Sequence, residues 1–138
     1  MRTGLFLQTY AVSLVAFLVL DLAWLGLIAR GFYRQQLGHL LSPDVRWSAA
    51  IVFYLLFVAA VVVFAVLPAV ERGSLGKALL LGGFFGLVAY ATYDLTNLAT
   101  LRGFPTLVAA VDMTWGCVLT AAVAALGYLF ARQAGSAA

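Results

Sequence analysis

Charge is what this sequence has least of. Only 9% of its 138 residues are Asp, Glu, Lys or Arg. Lysine occurs once, at Lys77, histidine once, at His39, and cysteine once, at Cys117. A lone cysteine excludes an internal disulfide, and neither it nor His39 stands in a metal-ligand spacing, so no metal site is expected. The eight Lys and Arg residues are scattered, with no basic run, which argues against nucleic acid as a partner. There is no phosphate-binding loop, zinc motif or Ser-His-Asp set, and no lysine in an apolar run to hold a retinal-type chromophore. No cofactor is expected.

What is present is apolar. Hydrophobic residues make up 65% of the chain and the mean hydropathy is +1.08. A soluble domain this small cannot hide so much apolar surface, so the lipid bilayer is the expected environment. About 20 apolar residues cross a bilayer core. Four stretches qualify, at about 5–29, 47–67, 78–101 and 105–131. The expected fold is therefore all-α: one integral-membrane domain over 1–138, a four-helix transmembrane bundle. The first run outlasts a signal-peptide core and lacks an Ala-x-Ala site, so it reads as a retained helix.

The connections differ in kind. Residues 30–41 place Phe32, Tyr33, Leu37, Leu40 and Leu41 at helical spacing, with Arg30, Arg34, Gln35 and Gln36 mainly elsewhere on the wheel. That pattern suits a short helix in the membrane interface. Ser42-Pro43-Asp44 reads as a helix start with Ser42 as N-cap, and Trp47 as an interfacial aromatic. Pro68 is expected to end the second span. Arg102-Gly103-Phe104-Pro105 is so short that the third and fourth helices must be antiparallel neighbours. The tail from Arg132 onward is expected to fray. Gly82 and Gly86 form a GxxxG pair, suited to close helix packing within the chain or to a homodimer. Basic residues are tied four against four across the two faces, so the positive-inside rule is silent. The N-terminal amine and the weight of the first helix favour cytoplasmic termini.

An internal repeat is visible. Asp21-Leu22-Ala23-Trp24-Leu25 resembles Asp94-Leu95-Thr96-Asn97-Leu98, and Arg30-Gly31-Phe32 resembles Arg102-Gly103-Phe104. The chain can be read as two helical hairpins related about the membrane normal.

Three acids lie inside apolar runs. Asp21 stands eight residues before the expected end of its span and Asp94 seven before that of its own. Asp112 and Tyr54 each stand seven after the start of theirs. At ~1.5 Å per residue all four fall in one layer, roughly 10 Å from the edge carrying the 30–46 connection. Spacings of three and four add Trp24, Tyr90, Asn97 and Trp115 to the faces of the acids, and Tyr93 adjoins Asp94. Thr96, Asn97 and Tyr90 are the expected hydrogen-bond partners of Asp94. The candidate ligand- or proton-binding set is thus Asp21, Trp24, Tyr54, Tyr90, Tyr93, Asp94, Asn97, Asp112 and Trp115, in a pocket open toward a basic rim. An intramembrane carboxylate costs ~2.5–3.5 kcal/mol on insertion scales, so three in a layer point to function. Crowded carboxylates cannot all ionise cheaply, and at least one is expected to hold its proton.

The D-x-x-W, Y-D-x-T-N and D-x-T-W-G motifs, at Asp21 and Trp24, at Tyr93, Asp94, Thr96 and Asn97, and at Asp112, Trp115 and Gly116, give the chain its resemblance. It resembles, over nearly its full length, the DUF2177 family of small bacterial membrane proteins. The resemblance implies a four-helix inner-membrane protein and supplies no activity and no catalytic residues. Three functions fit the residues. One is binding or proton-coupled translocation of a small cationic or hydrophobic ligand, the acids taking a proton or cation and the aromatics an apolar body. Another is a membrane-embedded enzyme acting on a lipid or isoprenoid through an Asp general acid. The third is an accessory membrane subunit.

Overall fold

The computed structural model describes residues 1–137 and is helical from end to end. Helix α1 spans Thr3–Ala23 and continues through a π-helical turn, Trp24–Ile28. Helix α2 is Arg30–Leu37 and α3 is Trp47–Val61. A second π-turn, Val62–Val66, joins α3 to α4, Leu67–Arg72. Helix α5 is Leu75–Thr100 and α6 is Thr106–Ser136. Four continuous rods, Thr3–Ile28, Trp47–Arg72, Leu75–Thr100 and Thr106–Ser136, are long and apolar enough to cross a membrane. Among the described residues there is no strand.

Helix α6 is the axis of the bundle. It carries the most buried residues of any element and packs against α5, α1 and the second π-turn. Its contact with α5 is the closest in the molecule because glycines line it. A Cβ on Gly82 would lie 2.6 Å from the Ala124 Cβ and 2.7 Å from the Thr120 carbonyl oxygen. One on Gly86 would collide with Gly116 and Thr120. Both glycines are buried, so their close approach lies within the chain, and a homodimer would have to use another face. The lone Cys117 packs in the same seam, against Gly83. Outward, Leu7, Val19, Leu56, Leu80, Phe84 and Val118 are all exposed, as lipid-facing positions should be. Phe57 is buried in the core, whereas Phe53 and Phe64 face outward.

Several expected boundaries move. The second rod does not stop at Pro68 but runs on to Arg72. The proline ring would strike the carbonyl four residues back. The π-turn widens the helix just ahead of it, with the Leu67 N–H reaching the Val62 carbonyl. Ser42 is not a helix N-cap: its hydroxyl accepts from Asp44 N–H at 3.3 Å and donates to Asp44 O at 2.9 Å, a closed local turn. Helix α3 starts at Trp47, where the second span was expected to begin, without a side-chain cap. Helix α5 starts earlier than expected. Gly73 takes φ 61° to end α4, and Ser74 caps α5 by accepting from Lys77 N–H at 3.1 Å. The tail does not fray at Arg132, since α6 persists to Ser136.

The two halves of the sequence repeat share residue order but not local conformation. The stretch after Asp21 passes into a π-turn and then α2, whereas the one after Asp94 stays α-helical to Thr100. Arg30-Gly31-Phe32 lies inside α2, whereas Arg102-Gly103-Phe104 forms the α5–α6 turn with Gly103 at φ 74°.

Candidate functional site

The three intramembrane acids are linked through aromatic side chains. Asp21, buried on α1, accepts from Trp115 Nε1 of α6 at 3.1 Å. The Trp115 ring stacks on Trp24, with centroids 4.5 Å apart and planes 9° from parallel. Trp24 Nε1 donates to the Tyr33 hydroxyl at 3.2 Å, and that hydroxyl donates to Asp112 Oδ1 at 2.7 Å. Asp94 is wholly buried, with its carboxyl within hydrogen-bonding reach of Asp112. With both acids ionised, neither Asp94 oxygen has a donor among the described residues. With one proton between them, Asp112 becomes the partner.

Local geometry explains the convergence. The π-turn after Asp21 closes with the Ala29 N–H on the Trp24 carbonyl at 2.7 Å. The chain then breaks at Ala29, φ −104° and ψ 0°, and α2 turns back toward the α5–α6 connection. Leu37 of α2 packs with Phe104, Val108 and Ala109, alongside Phe32, Tyr33 and Leu98. His39 Nε2 lies 3.2 Å from the Gly103 carbonyl oxygen, fastening the same two connections. This packing holds Tyr33 over Asp112.

The remaining candidates divide into two groups. Tyr54 and Tyr90 stand among the acids: Tyr54 packs on Phe17 at 5.5 Å within electrostatic reach of Asp21. Tyr90 lies within reach of Asp21, Asp112, Tyr33 and Tyr54, its ring against Gly116, where no Cβ would fit. Tyr93 and Asn97 stand aside from Asp94. Tyr93 is 58% exposed and meets Phe104 edge-on at 6.3 Å. Asn97 lies beside Tyr93, four residues earlier on α5. Thr96 is exposed. The expected hydrogen bonds to Asp94 from Thr96 and Asn97, and from Tyr90, are not made among the described residues. Asp94 points inward to α6, and Asn97 follows the Tyr93 face.

The opening also differs from expectation. Helix α2 roofs the acid layer on the side of the basic connections. The layer opens sideways instead, through a cleft of about 310 Å³ lined by Phe53, Ala89, Tyr90, Tyr93 and Asp112. Of the three acids only Asp112 lines the cleft, with Asp94 and Asp21 behind it.

Sequence reasoning missed Tyr33, which it placed on the apolar face of an interfacial helix. A usable signal was its hydroxyl, the polar tip on that face, at the membrane edge nearest the acids. Burial first, and then Asp112 and Asp94, push the Tyr33 phenol up from its ordinary value, against the Trp24 N–H. It remains a donor at neutral pH.

Among the described residues no group of three His, Cys, Asp or Glu could hold a metal ion. A family model described as "Predicted membrane protein (DUF2177)" matches residues 6–129. The chain belongs to the DUF2177 family. No curated protein and no solved structure matches it. In this DUF2177 chain the matched stretch takes in all three intramembrane acids, the stacked indoles and Tyr33.

Proposed function

We propose that this protein binds a small lipophilic cation, or an apolar ligand with a protonatable head, in the cleft between α3 and α5. Asp112 is the counter-ion at the cleft floor, and Asp94 is its proton partner. One observation carries this reading: at the foot of an aromatic cleft the half-buried Asp112 carboxyl is backed by the wholly buried carboxyl of Asp94. Tyr90, Tyr93 and Phe53 offer ring faces to a cation or an apolar body. A cation entering beside Asp112 displaces the shared proton, which couples binding to proton release. Four helices are few for a complete permeation path, so translocation would need a second copy. The setting is a bacterial inner membrane with both termini cytoplasmic.

The test uses protein in lipid nanodiscs and tetraphenylphosphonium as the probe cation, followed by equilibrium dialysis. Binding to the wild type should tighten as pH rises, by up to ~10-fold per unit while one proton competes. Asp112→Asn should weaken it by at least ~10-fold, equivalent to ~1.4 kcal/mol, and remove the pH dependence. Equal affinity in the wild type, Asp94→Asn and Asp112→Asn would sink the proposal.

A second reading, an intramembrane enzyme with Asp112 as general acid, draws on the Tyr33 hydroxyl and Asp94 that flank that carboxyl at the cleft floor.

A further inference from the structure

The end of the bundle remote from the acid layer carries Arg2, Arg72, Lys77 and Arg132. One acid stands among them, Glu71, the only glutamate in the chain. It lies in the last turn of α4, where the helix dipole disfavours a negative charge. Arg132 shares a recess with it. The two do not pair among the described residues, and Arg132 Nη1 donates instead to the Tyr128 hydroxyl at 3.1 Å. One recess thus holds a carboxylate and a guanidinium, neither neutralised by the other.

Three helices wall this recess, which has a volume of about 260 Å³. Helix α4 presents Leu67, Val70 and Glu71, whose spacings of three and four put them on one face. Helix α6 contributes Ala131 and Arg132, and α1 contributes Leu5. Glu71 and Arg132 are exposed and Ala131 is buried, so the charges stand at the mouth and the apolar groups behind them.

The guanidinium is held in place before any ligand arrives. Tyr128 is buried, and its ring lies under Arg132 with the guanidinium carbon 5.8 Å from the centroid. With one N–H on the Tyr128 hydroxyl, the other donors of the planar fork are free for an acceptor, and that fork matches phosphate geometry.

We propose that the recess binds the zwitterionic phosphoethanolamine head of a membrane phospholipid. The phosphate meets Arg132, the ammonium meets Glu71, and the glycerol end lies along Leu5, Leu67 and Val70 with the acyl tails outside in the bilayer. The choice of head follows from the pair of charges. An anionic phosphoglycerol head would satisfy Arg132 but bring no cation to Glu71. A phosphocholine head brings a cation without the N–H donors that a carboxylate bonds best. The site stands at the opposite end of the bundle from the acid layer and is independent of cation binding in the cleft.

The experiment is native mass spectrometry of the full chain released from detergent micelles. The micelles carry equal amounts of phosphatidylethanolamine, phosphatidylglycerol and phosphatidylcholine with matched acyl chains. The wild type should retain the ethanolamine lipid about fivefold over each of the others, the upper end for one exposed charge pair. Glu71→Gln, a conservative change at an exposed position, should bring the ethanolamine lipid level with the choline lipid and raise the glycerol lipid above both. Arg132→Gln should lower retention of all three by about fivefold or more. Tyr128→Phe keeps the ring and removes the hydroxyl, and should weaken retention without changing the order of preference. A wild type that takes the glycerol lipid as readily as the ethanolamine lipid would overturn the proposal. So would an unchanged preference in Glu71→Gln, or a wild type that retains no lipid.

Discussion

At the scale of single residues, Tyr33 joins the acid layer to the helix above it. Its hydroxyl accepts from one indole and donates to one carboxylate. Tyr33→Phe should lower stability in detergent by about 1–2 kcal/mol at neutral pH, because Asp112 and Trp24 both lose a partner. The sign of the pH effect follows from the raised phenol. The unfolded Tyr33 ionises from its ordinary value of 10, and the folded one resists until higher pH. The stability it supplies is therefore complete below about pH 10 and lost above it. Thermal melts of wild type and Tyr33→Phe should differ at neutral pH and converge as pH rises past that value. Asp21, Asp94 and Asp112 were legible from rarity alone, since any acid in an apolar run stands out. Tyr33 was not, because a tyrosine in an interfacial helix is ordinary until the chain path folds it over Asp112.

At the scale of elements, the seam between α5 and α6 is where backbone meets backbone. Gly86→Leu should cost about 3 kcal/mol, the upper end of overpacking penalties, because Gly116 and Thr120 cannot retreat. Gly76→Ala is the control: its nearest neighbour would be Ser74 Oγ at 3.8 Å, so detergent melting should hold or improve slightly. Equal melting of the two variants would mean that the seam does not govern stability. The four spans were legible from length and hydropathy. Both π-turns were not. A π-turn needs one residue more than the α-ladder holds, and apolar sequence conceals that surplus. Pro68 was visible, but its effect was misjudged: the preceding turn widened and the helix went on to Arg72.

At the scale of the whole molecule, four spans bring both termini to one side, with the acid layer nearer the other. Fusions at the C-terminus test the orientation proposed above: green fluorescent protein should fluoresce there and alkaline phosphatase should stay inactive. The reverse result would put the 30–46 connection in the cytoplasm and invert the whole bundle. The common depth of the acids could be estimated from residue counts. The side on which they open could not, since that depends on α2 docking over the layer and on the gap between α3 and α5. Under the proposed function, that lateral gap changes what strength of binding would mean. A ligand of the proposed kind would arrive sideways from the hydrocarbon, where a lipophilic compound has already partitioned to a density far above that in water. Its search is two-dimensional, and much of its desolvation is complete before it meets Phe53 and Tyr93. A weak intrinsic affinity would then suffice for high occupancy, and selectivity would rest on the one step hydrocarbon cannot supply, the meeting of a polar head with Asp112.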